Sequence, residues 1–178
     1  MNQASKEVQI GSSQSIKLPL NFELNSEMLR CVELVKNGKN VFITGNAGTG
    51  KSTLLTYLRQ NFLPEDTAVA APTGVGAINV GGVTLHRLCG FNIDVTFEHI
   101  ASENYRPRTQ DVMKAISVLV IDEVSMARAD LIDYVDQALR RYGKRKRQPF
   151  GGAQVIFIGD LAQLPPVVAK LDERNFRQ

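Results

Sequence analysis

A glycine-rich segment, residues 45–52, constrains the fold of this chain more than any other feature of its sequence. It reads Gly-Asn-Ala-Gly-Thr-Gly-Lys-Ser and fits the pattern G-x-x-x-x-G-K-[ST] at every defined position. A short apolar run, Val41–Thr44, precedes it, and Leu54, Leu55 and Leu58 follow it with helical spacing. A strand, a glycine-rich turn and a helix in this order predict a loop whose backbone N–H groups surround a phosphate. A glycine-rich turn without a ligand is the structural alternative, which this context disfavours.

The residue types within the segment predict a site for the phosphates of a nucleotide and for Mg²⁺. We expect Lys51 to reach the β- and γ-phosphates and the Ser52 hydroxyl to bind the metal ion. The predicted nucleotide-binding residues are Gly45, Asn46, Ala47, Gly48, Thr49, Gly50, Lys51, Ser52 and Thr53.

Two adjacent acids, Asp122 and Glu123, end the apolar run Val118–Ile121. Acids at a strand end often mark only an exposed loop, but a phosphate-binding loop requires a carboxylate at the carboxyl end of a nearby strand. We therefore predict that Asp122 holds Mg²⁺ through its water shell. Glu123 is predicted to orient or deprotonate the water that attacks the γ-phosphate. A glutamate at this place also favours hydrolysis over phosphate transfer to a second substrate.

Gln163 lies in the motif Gly-Asp-Leu-Ala-Gln-Leu-Pro-Pro-Val, after the last apolar run of the chain. We predict that its side chain contacts the γ-phosphate and responds to the loss of that group. The consecutive Pro165 and Pro166 would stiffen the segment that follows. A strand followed by a tight turn is a credible alternative for this motif alone.

Helical and strand patterns alternate along the chain, which predicts an α/β domain with a mostly parallel sheet and helices on both faces. We expect Asn25 or Ser26 to cap a first helix and a long helix to cover residues 127–142. We expect a buried central strand at Val41–Thr44 and a loop at residues 90–110. The other predicted strands are Thr67–Ala71, Val118–Ile121 and residues 154–158.

The rest of the composition excludes several classes of protein. Residues 1–22 are rich in Gln, Ser and Lys without apolar periodicity and predict an N-terminal arm. The sequence has no signal-peptide pattern and no run long enough for a membrane span. We therefore expect a cytoplasmic protein, and the short arm without a targeting pattern favours a bacterial one. Cys31 and Cys89 lack metal-ligand spacing and are expected to be buried free thiols.

The positive charge of the chain is concentrated in residues 140–147. Six of the 21 basic residues lie there with no acid among them, so the rest of the chain carries 15 basic against 18 acidic residues. Such a block is either a patch that contacts phosphates or a solvated helix end with its loop. Both interpretations agree equally well with the sequence.

Four segments together resemble the PIF-type helicases of superfamily 1, a group that includes the PIF and RecD-like DNA helicases. They are VFITGNAGTGKSTLL, AAPTGVGAINVGGVTLH, VLVIDEVSMARADLID and PFGGAQVIFIGDLAQLPPV, and the resemblance covers residues 25–168. It implies that residues 23–178 form the first RecA-like P-loop NTPase domain of an ATP-dependent DNA helicase. It implies movement along single-stranded DNA or action at fork DNA. It also implies roles in DNA repair, recombination and telomere maintenance, and it indicates no particular protein partner.

The resemblance also implies a set of DNA contacts. The positions that match DNA-contacting segments of the family are Pro72, Thr73, Gly74, Thr84 and His86. Small polar residues that contact the backbone suit a motor that ignores base sequence. A packed or helix-capping histidine is an equal alternative for His86, and a structural turn is an equal alternative for residues 150–152.

The sequence departs from the family pattern at two places. Relatives often carry Leu-x-x-Glu-Gln ahead of the phosphate-binding loop, with the Gln reading adenine, whereas this chain has Met28 there. A preference for ATP over other nucleotides is therefore less secure. The chain also stops after the third helicase motif, so we expect the second RecA-like domain with its arginine finger to be absent. The strand that would flank Val41–Thr44 is expected to be absent too, which leaves an exposed sheet edge.

An arginine finger contributes about three to five powers of ten in rate. We therefore expect this chain, as a piece of a longer helicase, to bind Mg-ATP but to hydrolyse it slowly. One alternative is another ASCE-type P-loop ATPase, although the sequence lacks both the Asn-Lys-x-Asp segment of a GTPase and residues for the helical lid of an AAA+ module. The other is a nucleotide-dependent DNA-binding module without helicase activity of its own.

Overall fold

The computed structural model describes Leu18 and residues 23–163. The helices in this part of the chain are α1 (Ser26–Lys36), α2 (Lys51–Asn61), α3 (Gly74–Asn79), α4 (Leu85–Cys89), α5 (Phe97–Ala101), α6 (Gln110–Ala115) and α7 (Ala129–Tyr142). The strands are β1 (Val41–Thr44), β2 (Thr67–Ala71), β3 (Val83–Thr84), β4 (Val118–Ile121) and β5 (Gln154–Gly159). Two 3₁₀ turns, Val124–Met126 and Pro149–Gly152, precede α7 and β5. Apart from Leu18, the arm expected at residues 1–22 lies outside the described residues, as do Pro165 and Pro166.

The five strands form one parallel sheet in the order β1-β5-β4-β2-β3. This confirms the predicted α/β class, and four of the strands lie where the sequence predicts them. The two-residue β3 is too short to be recognised from its sequence. Because parallel strands are joined by crossover connections, all of them end at the same edge of the sheet. We call that edge the carboxyl edge and the opposite one the amino edge.

The expectation of a buried central strand at Val41–Thr44 is wrong for the described sheet. There β1 pairs only with β5, and Phe42 is 47% exposed. A four-residue apolar run cannot distinguish an edge strand from a central one, because that position depends on pairing with distant segments. The exposed sheet edge expected beside Val41–Thr44 is thus present among residues 23–163.

A hydrophobic core lies on each face of the sheet. One core joins α1 and α2 to the sheet through Val32, Val35, Leu54, Leu55, Leu58, Val69, Val80, Val118, Val120, Ile156 and Ile158. The other joins α4, α5, α6 and α7 to the sheet, and its fully buried side chains include Leu85, Ile100, Met113, Leu119, Ile121 and Leu139. Successive residues of β4 alternate between the two cores, as a pleated strand requires. Helices on both faces are therefore confirmed.

The segment predicted as a loop at residues 90–110 contains a short helix, α5. The Thr96 hydroxyl caps this helix by accepting a hydrogen bond from the backbone N–H of His99 (3.2 Å). The Arg141 side chain, on α7, donates to the carbonyl oxygens of Ile100 (2.6 Å) and Ser102 (2.7 Å). Five residues are too few to show a helical period, and distant contacts from α7 hold the segment in place.

The ends of the longer helices agree closely with the sequence. The Asn25 side chain caps α1 by accepting a hydrogen bond from the Met28 N–H (2.8 Å). Helix α7 begins two residues later than expected, because the backbone of Ala127 and Arg128 is extended. Both cysteines are free thiols as predicted, with Cys89 fully buried and Cys31 half-buried, and burial raises the pKa of each.

Candidate functional site

The glycine-rich segment lies at the carboxyl edge, between the end of β1 and the start of α2. Gly48 and Gly50 have φ angles of 79° and 87°, in the left-handed region that favours glycine. Gly50 is the N-cap of α2, so the free N–H groups of the first helical turn lie at the loop. Lys51 Nζ donates hydrogen bonds to the carbonyl oxygens of Gly45 (2.5 Å) and Asn46 (2.8 Å). The loop therefore combines backbone donors and a fixed positive charge, as an anion site requires.

Asp122 follows β4, and it is one of the few buried charged residues in the described part of the chain. It is 8% exposed, and its backbone N–H donates to the carbonyl oxygen of Ala70 (2.9 Å). Burial raises the pKa of the Asp122 carboxyl, and the charge of Glu123 adds to that rise. The backbone N–H of Glu123 and the Lys51 ammonium act in the opposite direction. The carboxyl thus lies in a low-dielectric place beside a cation, which suits a group that holds a metal ion.

Glu123 adopts an uncommon backbone conformation for a glutamate, with φ at 52°. Its carboxylate lies against Gly76 in the first turn of α3, where a Cβ would overlap Glu123 Oε2. Glu123 therefore touches both the cleft and the segment that follows β2.

A cleft of about 330 Å³ opens at the carboxyl edge where the loops after β1, β4 and β5 meet. Its lining consists of Ala47, Gly48, Gly50, Lys51, Ser52, Thr53, Asp122, Glu123, Gly159, Asp160 and Gln163. All four residues predicted to be catalytic are therefore brought together. Of the predicted nucleotide-binding residues, Gly45, Asn46 and Thr49 lie outside this lining, and Asn46 contributes the carbonyl that holds Lys51.

Asp160 is a site residue that the sequence analysis missed. It is 6% exposed, and its backbone N–H donates to the Ser125 hydroxyl (3.3 Å). Its carboxylate accepts from the Ala162 N–H (3.0 Å), and its carbonyl accepts from the Gln163 N–H (3.0 Å). These bonds fold the chain after β5 into a turn that brings Gln163 to the cleft. The signal was available, since an acid directly after an apolar strand is also what marks Asp122.

The segments predicted to contact DNA lie at the same edge, on the far side of β4 from the glycine-rich loop. Residues 72–74 follow β2, and Ala71 pairs with Thr84 in the sheet, so the two segments are neighbours. The hydroxyls of Thr73 and Thr84 accept hydrogen bonds from backbone N–H groups of α3 (3.0 Å) and α4 (3.1 Å). The His86 ring packs edge-on against Phe91 with centroids 6.3 Å apart, and burial lowers its pKa. His86 thus has a packing role of its own.

Residues 150–152 form a structural turn at the amino edge. The Phe150 N–H donates to Asp136 Oδ1 (2.6 Å), and the Phe150 ring packs edge-on against Phe157. Gly151 has a φ of 63°, and a Cβ there would overlap the Leu139 carbonyl oxygen. The turn lies at the opposite end of β5 from the cleft, which favours the structural interpretation of these residues.

A second groove, of about 580 Å³, adjoins the glycine-rich loop on the side of β1 that faces away from β5. It is lined by Asn25, Glu27, Met28, Arg30, Cys31, Leu34, Val41, Phe42, Ile43, Thr44, Gly45, Thr49, Lys51 and Leu54. Met28 lies at the loop, since a Cβ on Gly50 would stand 3.0 Å from its terminal methyl carbon. A thioether is a soft packing group and only a weak hydrogen-bond acceptor.

The phosphate-binding loop follows β1 and the buried Asp122 follows β4, and the strand between them, β5, leads to Gln163. This arrangement defines a P-loop nucleotide-binding protein. A sequence model of the PIF1-like helicase family matches residues 23–176. The chain belongs to this family.

Individual relatives agree with that assignment. The ATP-dependent DNA helicase PIF1 of Danio rerio is 39% identical over 160 residues, which are 89% of this chain and 25% of that protein. A crystal structure of Bacteroides Pif1 bound to single-stranded DNA is similar with a TM-score of 0.76 and 39% identity, over 88% of this chain and 36% of that one. A crystal structure of Bacteroides Pif1 in complex with ADP-AlF4 is similar with a TM-score of 0.79 and 40% identity, over the same shares. These similarities confirm the RecA-like fold.

The chain spans about a quarter of the length of its Danio rerio relative. Relatives from a vertebrate and from a bacterium are both similar to it, so the bacterial origin favoured by the sequence is not supported. No helix within residues 23–163 is long and apolar enough to cross a membrane.

Proposed function

We propose that residues 23–178 are the first RecA-like domain of an ATP-dependent DNA helicase, the part that binds and hydrolyses ATP. The observation that carries this proposal is the single cleft in which Lys51, Asp122, Glu123 and Gln163 converge. The similarity to a helicase in complex with ADP-AlF4 supports nucleotide use.

ATP fits the cleft through its phosphates. The backbone N–H groups around Gly48 and Gly50 and the N-terminal end of α2 would bind the phosphate oxygens. Lys51 Nζ would exchange its two carbonyl partners, on Gly45 and Asn46, for the β- and γ-phosphate oxygens.

Mg²⁺ fits the oxygen donors that the cleft offers. The Ser52 hydroxyl and the Asp122 carboxylate line the same cleft, and hard cations prefer such oxygen ligands. No three His, Cys, Asp or Glu side chains among residues 23–163 are placed so that they could hold a metal ion together, so the phosphates of ATP would supply further ligands. When bound, the ion would neutralise the charge of the β- and γ-phosphates.

Glu123 and Gln163 would carry out the remaining steps of hydrolysis. Glu123 would accept a proton from a water molecule while the oxygen of that water forms a bond to the γ-phosphorus. The bond from that phosphorus to the leaving oxygen of ADP would break. The Gln163 amide would contact the γ-phosphate and lose that contact when phosphate leaves.

The backbone of single-stranded DNA, which a similar helicase binds, would be contacted by Pro72, Thr73, Gly74, Thr84 and His86.

A second candidate function is a nucleotide-dependent DNA-binding module without helicase activity of its own. The observation that favours it is the lining of the cleft, where the described residues include no arginine. Without an arginine the charge that develops during phosphoryl transfer is poorly neutralised, and hydrolysis would be slow.

Titration of this chain with a fluorescent ATP analogue, with and without Mg²⁺, tests the nucleotide site. Wild type and the control Lys39→Ala, which alters an exposed lysine outside the cleft, should bind tightly and in a Mg²⁺-dependent way. Lys51→Ala should bind at least about tenfold more weakly, because it loses a charge-assisted contact to phosphate. Equal affinities for Lys51→Ala and Lys39→Ala would overturn the proposed site.

A further inference from the structure

The basic block at residues 140–147 divides into two parts with different surroundings. Arg140 donates to Asp136 Oδ2 (2.6 Å) and to the Arg147 carbonyl oxygen (3.2 Å). Arg141 donates to two carbonyl oxygens near α5 and stacks over the Tyr142 ring at 5.3 Å. Arg141 holds the end of α7 to α5, and Arg140 joins α7 to the loop that follows it, so both arginines have structural roles.

The remaining four cations form the basic loop, which we define as Lys144, Arg145, Lys146 and Arg147. All four are exposed, and among residues 23–163 no carboxylate forms an ion pair with any of them. The block as a whole is therefore more than a solvated helix end, because only its first two residues, Arg140 and Arg141, form side-chain hydrogen bonds at the end of α7.

The backbone of the basic loop is fixed although its charges are exposed. The Arg145 N–H donates to the Gly151 carbonyl oxygen (2.7 Å), and the Arg147 N–H donates to the Arg140 carbonyl oxygen (2.9 Å). The Arg145 side chain also lies against Gly152, where a Cβ would overlap it. A loop held in this way displays four positive charges without having to order its backbone when a partner binds.

The basic loop lies at the amino edge, away from both the cleft and the segments predicted to contact DNA. It precedes β5, whose six residues separate it from the cleft by about 20 Å at 3.3 Å per residue. The acids Glu65 and Asp66 precede β2 at the same edge, but β2 lies two strands away from β5, or roughly 10 Å. The charge of the loop is therefore not neutralised by its neighbours on the sheet.

We propose that the basic loop binds the phosphate backbone of duplex DNA, as a second nucleic-acid contact separate from the single-strand segments; this rests on the proposed function in DNA unwinding. Duplex DNA carries one negative charge per about 1.7 Å of its axis, which suits four cations in consecutive positions. Sites for single strands usually add aromatic side chains on which bases stack. The aromatic rings beside the loop are occupied, since the Tyr142 hydroxyl donates to the Tyr105 carbonyl oxygen and Phe150 packs on Phe157.

Each phosphate contact adds about 0.9 to the slope of log affinity against log salt for duplex DNA. Four contacts therefore contribute a slope of about 3 to 4. Binding should be strong at low salt, independent of base sequence and steeply weakened as salt rises.

The test is the salt dependence of binding to a labelled, blunt-ended duplex and to a labelled oligothymidine, using the 178-residue chain. The variant Lys144→Gln, Arg145→Gln, Lys146→Gln, Arg147→Gln removes the charges and keeps most of each side chain. The matched control exchanges the cations, as Lys144→Arg, Arg145→Lys, Lys146→Arg, Arg147→Lys, and keeps every charge. Thermal unfolding of both variants checks that the loop change has left the domain folded.

We expect the glutamine variant to lose about 3 to 4 of the duplex salt slope and to keep its affinity for oligothymidine, while the control keeps both. An unchanged duplex slope would overturn the proposal and point to an acidic protein segment as the partner. An equal loss for oligothymidine, or a loss in the control, would also overturn it. If wild type binds nucleotide through Lys51 and also binds oligothymidine, but the glutamine variant binds duplex DNA as wild type does, only the loop proposal is refuted. If wild type binds neither DNA, the proposed DNA function itself is refuted.

Discussion

Asp136 is expected to hold the turn before β5, and its removal should destabilise the domain measurably. Its carboxylate accepts hydrogen bonds from the Phe150 N–H (2.6 Å) and from Arg140 Nε (2.6 Å). A hydrogen bond to a charged group contributes about 1.5–3 kcal/mol, and a helical ion pair adds about 0.3–0.5 kcal/mol. Phe150 has a φ of 49°, which costs free energy unless the surroundings fix it. Asp136→Ala should therefore lower the free energy of unfolding by about 2–3 kcal/mol.

Urea and thermal unfolding followed by circular dichroism measure this loss. A loss of about 2–3 kcal/mol corresponds to a fall in Tm of roughly 4–12 °C for a domain of this size. The matched control is Asp133→Ala, an exposed acid on the same helix, which should change stability by less than about 0.5 kcal/mol. If Asp136→Ala is no less stable than Asp133→Ala, the turn does not depend on this carboxylate and our account of residues 150–152 fails.

Three further predictions concern the cleft and its surroundings. Met28→Gln should raise the affinity for ATP relative to GTP by about tenfold, because a bidentate amide contact to adenine discriminates by about 1–3 kcal/mol. Competition binding in which wild type and Met28→Gln have the same ratio of ATP to GTP affinity would contradict this. Glu123→Gln should lower turnover by about a hundredfold or more without weakening nucleotide binding, and a rate close to wild type in a phosphate-release assay would remove Glu123 from catalysis. Burial raises the pKa of Asp122, so the folded protein binds that proton more tightly than the unfolded chain and loses stability as pH rises from the ordinary Asp range to the raised value. Asp122→Asn without Mg²⁺ should therefore have the higher Tm at pH 7, and the gain should vanish at lower pH; melting curves with equal Tm at pH 7 would refute this.

The parts of the site that the sequence predicts are those encoded by short local patterns. The loop at residues 45–52 needs glycines, a lysine and a serine at fixed spacing between a strand and a helix, and each is visible in the sequence. Asp122 and Glu123 follow directly from an apolar strand with an acidic end. Because parallel strands end at one edge, these local signals are enough to predict that the loop and the carboxylates meet.

The parts that the sequence could not predict depend on contacts between distant segments. The position of β1 at the edge of the sheet formed by residues 23–163 depends on which strands pair with it, and the apolar residues Val41–Thr44 carry no such information. The helix α5 is held by Arg141, about forty residues further along the chain. The structural role of Arg141 within the basic block also appears only once α5 is packed against α7.

The most direct test of the account is hydrolysis of ATP by excess 178-residue chain in a single turnover with Mg²⁺, measured with and without single-stranded DNA. Lys51→Ala serves as the blank and Lys39→Ala as the control. The account predicts slow hydrolysis in wild type and Lys39→Ala that exceeds the blank, because the cleft contains the phosphate loop and both carboxylates but no arginine among the described residues. Hydrolysis at the same rate in wild type and Lys51→Ala, with and without DNA, would contradict the claim that this cleft is an ATP-hydrolysing site.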